Sequence, residues 1–250
     1  MFSFKDERLK YFKTTKKGNA NVCRNIGLRE SKGQYIAMLD SDDEWLPDHL
    51  EKKIDFIESK KVDGVFGSYR IDDGIDVIPV ISRDFLKGEN MANYILSGGK
   101  AATPTHVYKA SFAKEILWDE NLFRHQDYDF SIRFAEKFKF VPSKEITCIV
   151  HWSKNEKRVE HFESQQLFIK KHQSKISPQN YNKYHYGIYN NIKTREDIES
   201  AIKKHYSREQ VRYIHALSFL DYSGIMNPSG NKMYSIYLRV IYALRVFFKV

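Results

Sequence analysis

The stretch Tyr35–Pro47, YIAMLDSDDEWLP, constrains the fold more than any other part of the chain. An apolar run without polar alternation suits a strand buried on both faces, as in a sheet covered by helices. It stops abruptly at Asp40, Asp42 and Asp43, three carboxylates within four residues. Like charges so close repel, and at the end of a core element they would also lose hydration. Either they lie on a solvated turn or a helix cap, or a positive group belongs among them. Residues two apart on a strand project to one side, so Asp40 and Asp42 point together if extension persists. The carboxyl end of a parallel strand is where open α/β sheets bind ligands. With no His or Cys close by, oxygen donors of this kind suit a hard cation such as Mg²⁺ or Mn²⁺.

The surrounding pattern predicts alternating strands and helices. LKYFK (Leu9 to Lys13) reads as a short strand. Residues 20–31 read as a helix with Val22, Cys23, Ile26 and Gly27 on one stripe, stopped by Gly33. After the acidic cluster, Pro47 opens a helix carrying Leu50, Ile54 and Ile57, and VDGVFGSYR is the next strand. This order argues for an α/β fold with parallel strand pairs. Residues 72–101 are loop-rich. DYDFSIRFAEKF then places Phe130, Phe134 and Phe138 on one helix face, and EITCIV reads as a further strand. Beyond Trp152 the pattern turns polar, helical and rich in Lys and Tyr, which divides the chain into 1–152 and a helical region, 153–250. Residues 233–250 are apolar with interspersed Arg and Lys, and read as an interfacial helix or as one packed on its own domain.

A formal net charge of +9 over 250 residues favours anionic partners, among them phosphorylated ligands and an acidic membrane surface. No nucleic-acid-binding motif is present, so no nucleic-acid partner is expected. The two cysteines, Cys23 and Cys148, are far apart and form neither a disulfide framework nor a metal spacing. The first residues resemble no leader peptide. The expected location is therefore the cytoplasm, with the inner face of the cell membrane as a peripheral site. The Tyr and Phe residues are read chiefly as core.

Residues 18–58, GNANVCRNIGLRESKGQYIAMLDSDDEWLPDHLEKKIDFIE, resemble the central signature of the family-2 glycosyltransferases. Gly18, Arg24, Asn25, Gly27, Gly33 and the Asp40-Ser41-Asp42-Asp43 run all match, in order. Downstream, ENLFRHQDYDFSIRFAEKFKFVP resembles the family's acidic pair at the start of a helix. The family's catalytic base falls on Asp127, with Gln126 in place of the usual Glu and Asp129 as the rival. Without the resemblance, Asp127 equally fits a helix cap. His151, in VHWS, stands where the family has a His near the metal or diphosphate, without the usual Arg.

The resemblance, over residues 7–152, implies an incomplete GT-A fold with a mostly parallel sheet flanked by helices. It implies inverting transfer from a nucleotide-diphosphate sugar to a hydroxyl of a saccharide or lipid-linked acceptor. Asp40 and Asp42, with His151, would hold Mn²⁺ or Mg²⁺, Asp43 serving beside them. Asp127 would act as the base, Arg24 and Asn25 would bind the nucleotide or shape its pocket, and Thr103 and His106 would face the acceptor. The family's leading strand–helix–strand unit is not seen before the matched region. A partner chain or oligomer would then cover an open sheet edge, and activity is not assured. The alternative is a non-catalytic scaffold that retains the partial fold.

Overall fold

The computed structural model describes residues 6–14, 19–152 and 161–193. Compact packing groups Met1–His172 into one unit and Gln173–Val250 into a second. In the first unit, helix α1 (Ala20–Glu30) leads into β1 (Tyr35–Ala37), the acidic turn, β2 (Glu44–Trp45) and α2 (His49–Lys60). Strands β3 (Gly64–Gly67), β4 (Tyr69–Asp72) and β5 (Val77–Val80) follow, then α3 (Met91–Leu96), β6 (Val107–Lys109) and α4 (Ala110–Ile116). The unit ends with α5 (Gln126–Ala135), β7 (Phe140–Ser143), β8 (Cys148–His151) and α6 (Phe162–His172). The described part of the second unit contains α7 (Pro178–Lys193). Residues 233–250 lie outside the described residues.

Two four-stranded sheets form, in the orders β1-β6-β3-β7 and β2-β8-β4-β5. The α/β class is as expected, but the strand pairing is mixed. β6 inserts antiparallel between β1 and β3, so that only β3·β7 is a parallel pair in the first sheet. In the second, β4·β8 is parallel while β2·β8 and β4·β5 are antiparallel. An apolar strand carries no mark of its direction. Only the path of the chain through residues 73–106 sets the reversal of β6.

The run VDGVFGSYR spans both sheets. At Ser68 the chain leaves β3 for β4, and the Ser68 amide donates to the Ser143 carbonyl at 3.1 Å. A core of Ile57, Val62, Val65 and Val107 lies where α2 covers the first sheet. An aromatic core adjoins it, in which Tyr108 packs on Phe130, Phe134 and Phe140. Full burial of such rings contributes about 2 kcal/mol each to the driving force.

Several expected elements differ. Residues 9–13 form no strand: among the described residues they find no ladder partner, and Leu9, Tyr11 and Phe12 are exposed. The buried side of α1 is Asn21, Asn25 and Leu28, with Cys23 and Gly27 exposed. That helix stops at Ser31, whose amide returns to the Gly27 carbonyl, and not at Gly33. The buried side of α2 is His49, Lys53 and Ile57, and Leu50 is exposed. Both errors have one cause: polar side chains take core positions, which a search for apolar stripes passes over.

Candidate active site

The acidic cluster is a turn between the two sheets. The Asp43 amide donates to the Asp40 carbonyl at 3.1 Å, closing the turn. It is anchored on both sides. Before it, the Met38 amide donates to the His106 carbonyl at 3.1 Å. After it, β2 pairs with β8 and the Leu46 amide donates to the Thr147 carbonyl at 2.9 Å. Trp45 stacks on His49 with ring centroids 4.6 Å apart, and its indole N–H donates to the Pro104 carbonyl.

The three carboxylates have different surroundings. Asp40 accepts a 2.6 Å charged hydrogen bond from Arg24 Nη2. The same guanidinium lies over the Trp118 ring, 4.6 Å from its centroid. Asp42 is exposed at the tip of the turn. Asp43 is half-buried and accepts the His151 amide at 3.1 Å. Burial, with the charges of Asp42 and Asp40 added, pushes its pKa up to about 6. His151 stands beside the cluster, with Glu44 and Asp72 carboxylate oxygens each 3.6 Å from its ring nitrogens.

Oxygen donors facing solvent, one of them destabilised as an anion, fit a hard divalent cation. Among the described residues, no three His, Cys, Asp or Glu side chains form a ready metal cage. An ion here would therefore draw further ligands from water or substrate phosphate.

Asp127 lies in the first turn of α5. It is not the cap: that position is His125, held in the left-handed region at φ 61° and ψ 30°. The Asp127 carboxylate accepts the Tyr128 amide at 2.9 Å. Burial pushes its pKa up to about 6, against the opposing pull of Arg24 and Arg124. The rival is differently placed. Asp129 is wholly buried and bound by Arg133 at 2.7 Å, His172 at 2.8 Å and Lys171 at 2.8 Å. These partners hold its pKa well below the ordinary carboxylate range, despite burial. An acid so stabilised as an anion is a poor proton acceptor.

The profile of Glycosyl transferase family 2 matches residues 1–116, which include α1, the acidic turn and β6. Over these residues the chain is similar to glycosyl transferase family 2. The chain is 32% identical over 139 residues to an uncharacterized glycosyltransferase of Methanocaldococcus jannaschii, covering 54% of this chain and 48% of the relative. It is 37% identical over 134 residues to the amylovoran biosynthesis glycosyltransferase AmsB of Erwinia amylovora, covering 49% and 44%. The chain thus spans about half the length of these curated relatives. Among solved structures, S. aureus TarS 1–349 in complex with UDP-GlcNAc aligns with a TM-score of 0.51 at 15% identity, covering 83% of this chain and 73% of that one. That likeness is one of fold, the GT-A architecture of family-2 glycosyltransferases.

Within this glycosyltransferase fold, the remaining expected site residues separate into two groups. Arg24 joins the cluster through Asp40. Asn25 does not: it is buried, and its amide is engaged with Trp118 N, Trp118 O and Glu120 Oε1 at 2.7–2.9 Å. These bonds fix the loop before α5. His106 is likewise internal. Its ring nitrogens meet the Ala101 carbonyl and the Tyr108 hydroxyl, and burial lowers its pKa to about 3. Its side chain is wholly enclosed in the core. Thr103 is buried in the short 3-10 turn that carries the Pro104 carbonyl to Trp45.

Tyr69, the first residue of β4, was not signalled by any motif. It is buried, and the nearby charges of Asp127 and Asp43 help push its pKa to about 12. Its phenol therefore lies within the electrostatic reach of both acidic centres.

Proposed function

We propose that this chain carries the donor site and catalytic base of a glycosyltransferase. It would move a sugar from a nucleoside diphosphate to a hydroxyl of a saccharide or lipid-linked acceptor, with inversion at the anomeric carbon. The observation that supports this best is the contrast between two acids of α5. Asp129 is neutralised by three cationic or donor side chains, whereas burial leaves Asp127 with a pKa of about 6. A base poised near working pH accepts a proton efficiently from an attacking hydroxyl.

Asp42 and Asp43, with His151 beside them, are the groups proposed to hold Mn²⁺ or Mg²⁺. Such an ion neutralises the charge of a diphosphate leaving group. Arg24 orients Asp40 and adds fixed positive charge beside the turn. Tyr69 offers a protonated hydroxyl within electrostatic reach of both acids, suited to donate to a diphosphate or sugar oxygen. That TarS is described in complex with UDP-GlcNAc supports a nucleotide sugar as donor class. The excess of basic residues suits work near an anionic membrane. No described helix is long and apolar enough to cross one.

The test is turnover. With Mn²⁺ and a panel of nucleotide sugars, the chain is expected to release nucleoside diphosphate, and Asp127→Asn to abolish that release. Folded protein that binds no nucleotide and releases none with any donor would reject the reading and favour a non-catalytic scaffold.

A further inference from the structure

The segment that delivers Asp127 has almost no secondary structure of its own. Residues 117–125 connect α4 to α5 and are held from two sides. From α1, Asn21 Nδ2 donates to the Asp119 and Leu122 carbonyls at 2.6 and 3.0 Å, and its cap residue Asn19 to those of Glu120 and Leu122. From the other side comes α6. Its Ser164 Oγ accepts the amides of Phe123 and Arg124 at 2.9 and 3.0 Å and donates to the Arg124 carbonyl at 3.2 Å.

Two turns further along α6, His172 Nε2 meets Asp129 Oδ1 at 2.8 Å. Both side chains are fully buried. Midway between, Phe168 lies 5.1 Å from the His125 ring and 6.1 Å from that of Tyr128. Ser164, Phe168 and His172 are spaced i, i+4, i+8, so they form one stripe of the helix. That stripe grips the chain at residue 124, at 125 and 128, and at 129. Asp127 is bracketed.

We propose that α6 sets the position of the Asp127 carboxylate, with Ser164, Phe168 and His172 as positioning residues. The inference rests on the reading of Asp127 as the base. His125, which opens α5 in a left-handed conformation at φ 61°, is itself packed against the Phe168 ring. A misplacement of the order of 1 Å at a catalytic group costs roughly a hundredfold in rate. His172 also secures Asp129 as a structural anion, keeping it from competing for the proton. Lys171 and Arg133 share that task.

The experiment uses the full chain with Mn²⁺ and UDP-N-acetylglucosamine, following release of UDP. Ser164→Ala and His172→Leu are each expected to lower kcat about tenfold or more while KM for the donor stays within about twofold. His172→Gln, which keeps a donor at the same reach, is expected to recover most of the loss. Phe138→Leu, a change at a partly buried ring stacked on Phe112 and away from the site, serves as the control: it lowers the melting temperature without lowering kcat. In parallel, the Asp127 ¹³Cγ titration midpoint is followed by NMR. It is expected to move by about half a pH unit in Ser164→Ala and to stay put in Phe138→Leu. Folded Ser164→Ala and His172→Leu with native kcat and an unmoved midpoint would overturn the proposal. If the native chain releases no UDP, the functional reading fails for this donor, and the NMR midpoint alone decides the role of α6.

Discussion

At the scale of single residues, the carboxylates divide by what surrounds each of them. Asp43 and Asp127 both have folded pKa values near 6, above the ordinary 3.8. Between about pH 4 and 6 these two groups therefore bind more protons in the folded than in the unfolded state, and they destabilise the fold as pH rises through that window. Asp129 has the opposite sign: its pKa is lowered, so its contribution is present at neutral pH and lost as pH falls below about 4. The stability difference between Asp127→Asn and the native chain is expected to grow as pH rises from about 4 to 6, and a difference independent of pH would contradict the assignment. Asp127→Asn is expected to stabilise the fold by about 1 kcal/mol at pH 7.5, after allowance for solvent screening at a partly buried site. The same change should reduce transfer by roughly 10² or more. A base of this pKa also predicts a rate that falls tenfold per pH unit below about pH 6, measured as kcat/KM.

At the scale of elements, α1 and α2 show what amino-acid patterns conceal. The acidic cluster and its place after a strand were legible in YIAMLDSDDEWLP, whereas its role as a link between two sheets was not. Legible too were α5, from the spacing of Phe130 and Phe134, and the α/β class. The inner faces of α1 and α2 were not, because Asn21, Asn25, His49 and Lys53 occupy them. A buried asparagine reads as a surface or ligand residue until its partners are known, and those partners are carbonyls about a hundred positions away. Asn25→Ala would leave the Trp118 N–H and C=O without partners, and is expected to cost about 2–3 kcal/mol by chemical denaturation. Lys53 behaves differently. Among the described residues its ammonium finds no hydrogen-bond partner, and burial lowers its pKa to about 8. Lys53→Met is expected to raise stability by about 1 kcal/mol at pH 7. A loss of stability would show that the amine has a role that these contacts do not explain. The antiparallel insertion of β6 was equally invisible, since strand direction depends on the chain path and not on side-chain pattern.

At the scale of the molecule, the site lies where the two sheets meet. β1 supplies Asp40 through the turn, β2 and β8 brace Asp43 and His151, β4 supplies Tyr69, and α5 brings Asp127. Each acid is set by a different element, so their arrangement depends on the whole first unit being folded. The residues that match the family profile, 1–116, stop before Asp127, which the downstream part of that unit supplies. The central claim, that the acidic turn and α5 together form a donor site for a nucleoside diphosphate, is tested most directly by isothermal titration calorimetry of UDP into the chain at pH 7.5. The account predicts binding with Mn²⁺ present, a loss of roughly tenfold or more in affinity with EDTA or in Asp42→Ala, and near-native affinity in Asp127→Asn. Binding of UDP that is equally tight without a divalent cation and in Asp42→Ala, or no binding at all by folded protein, would contradict it.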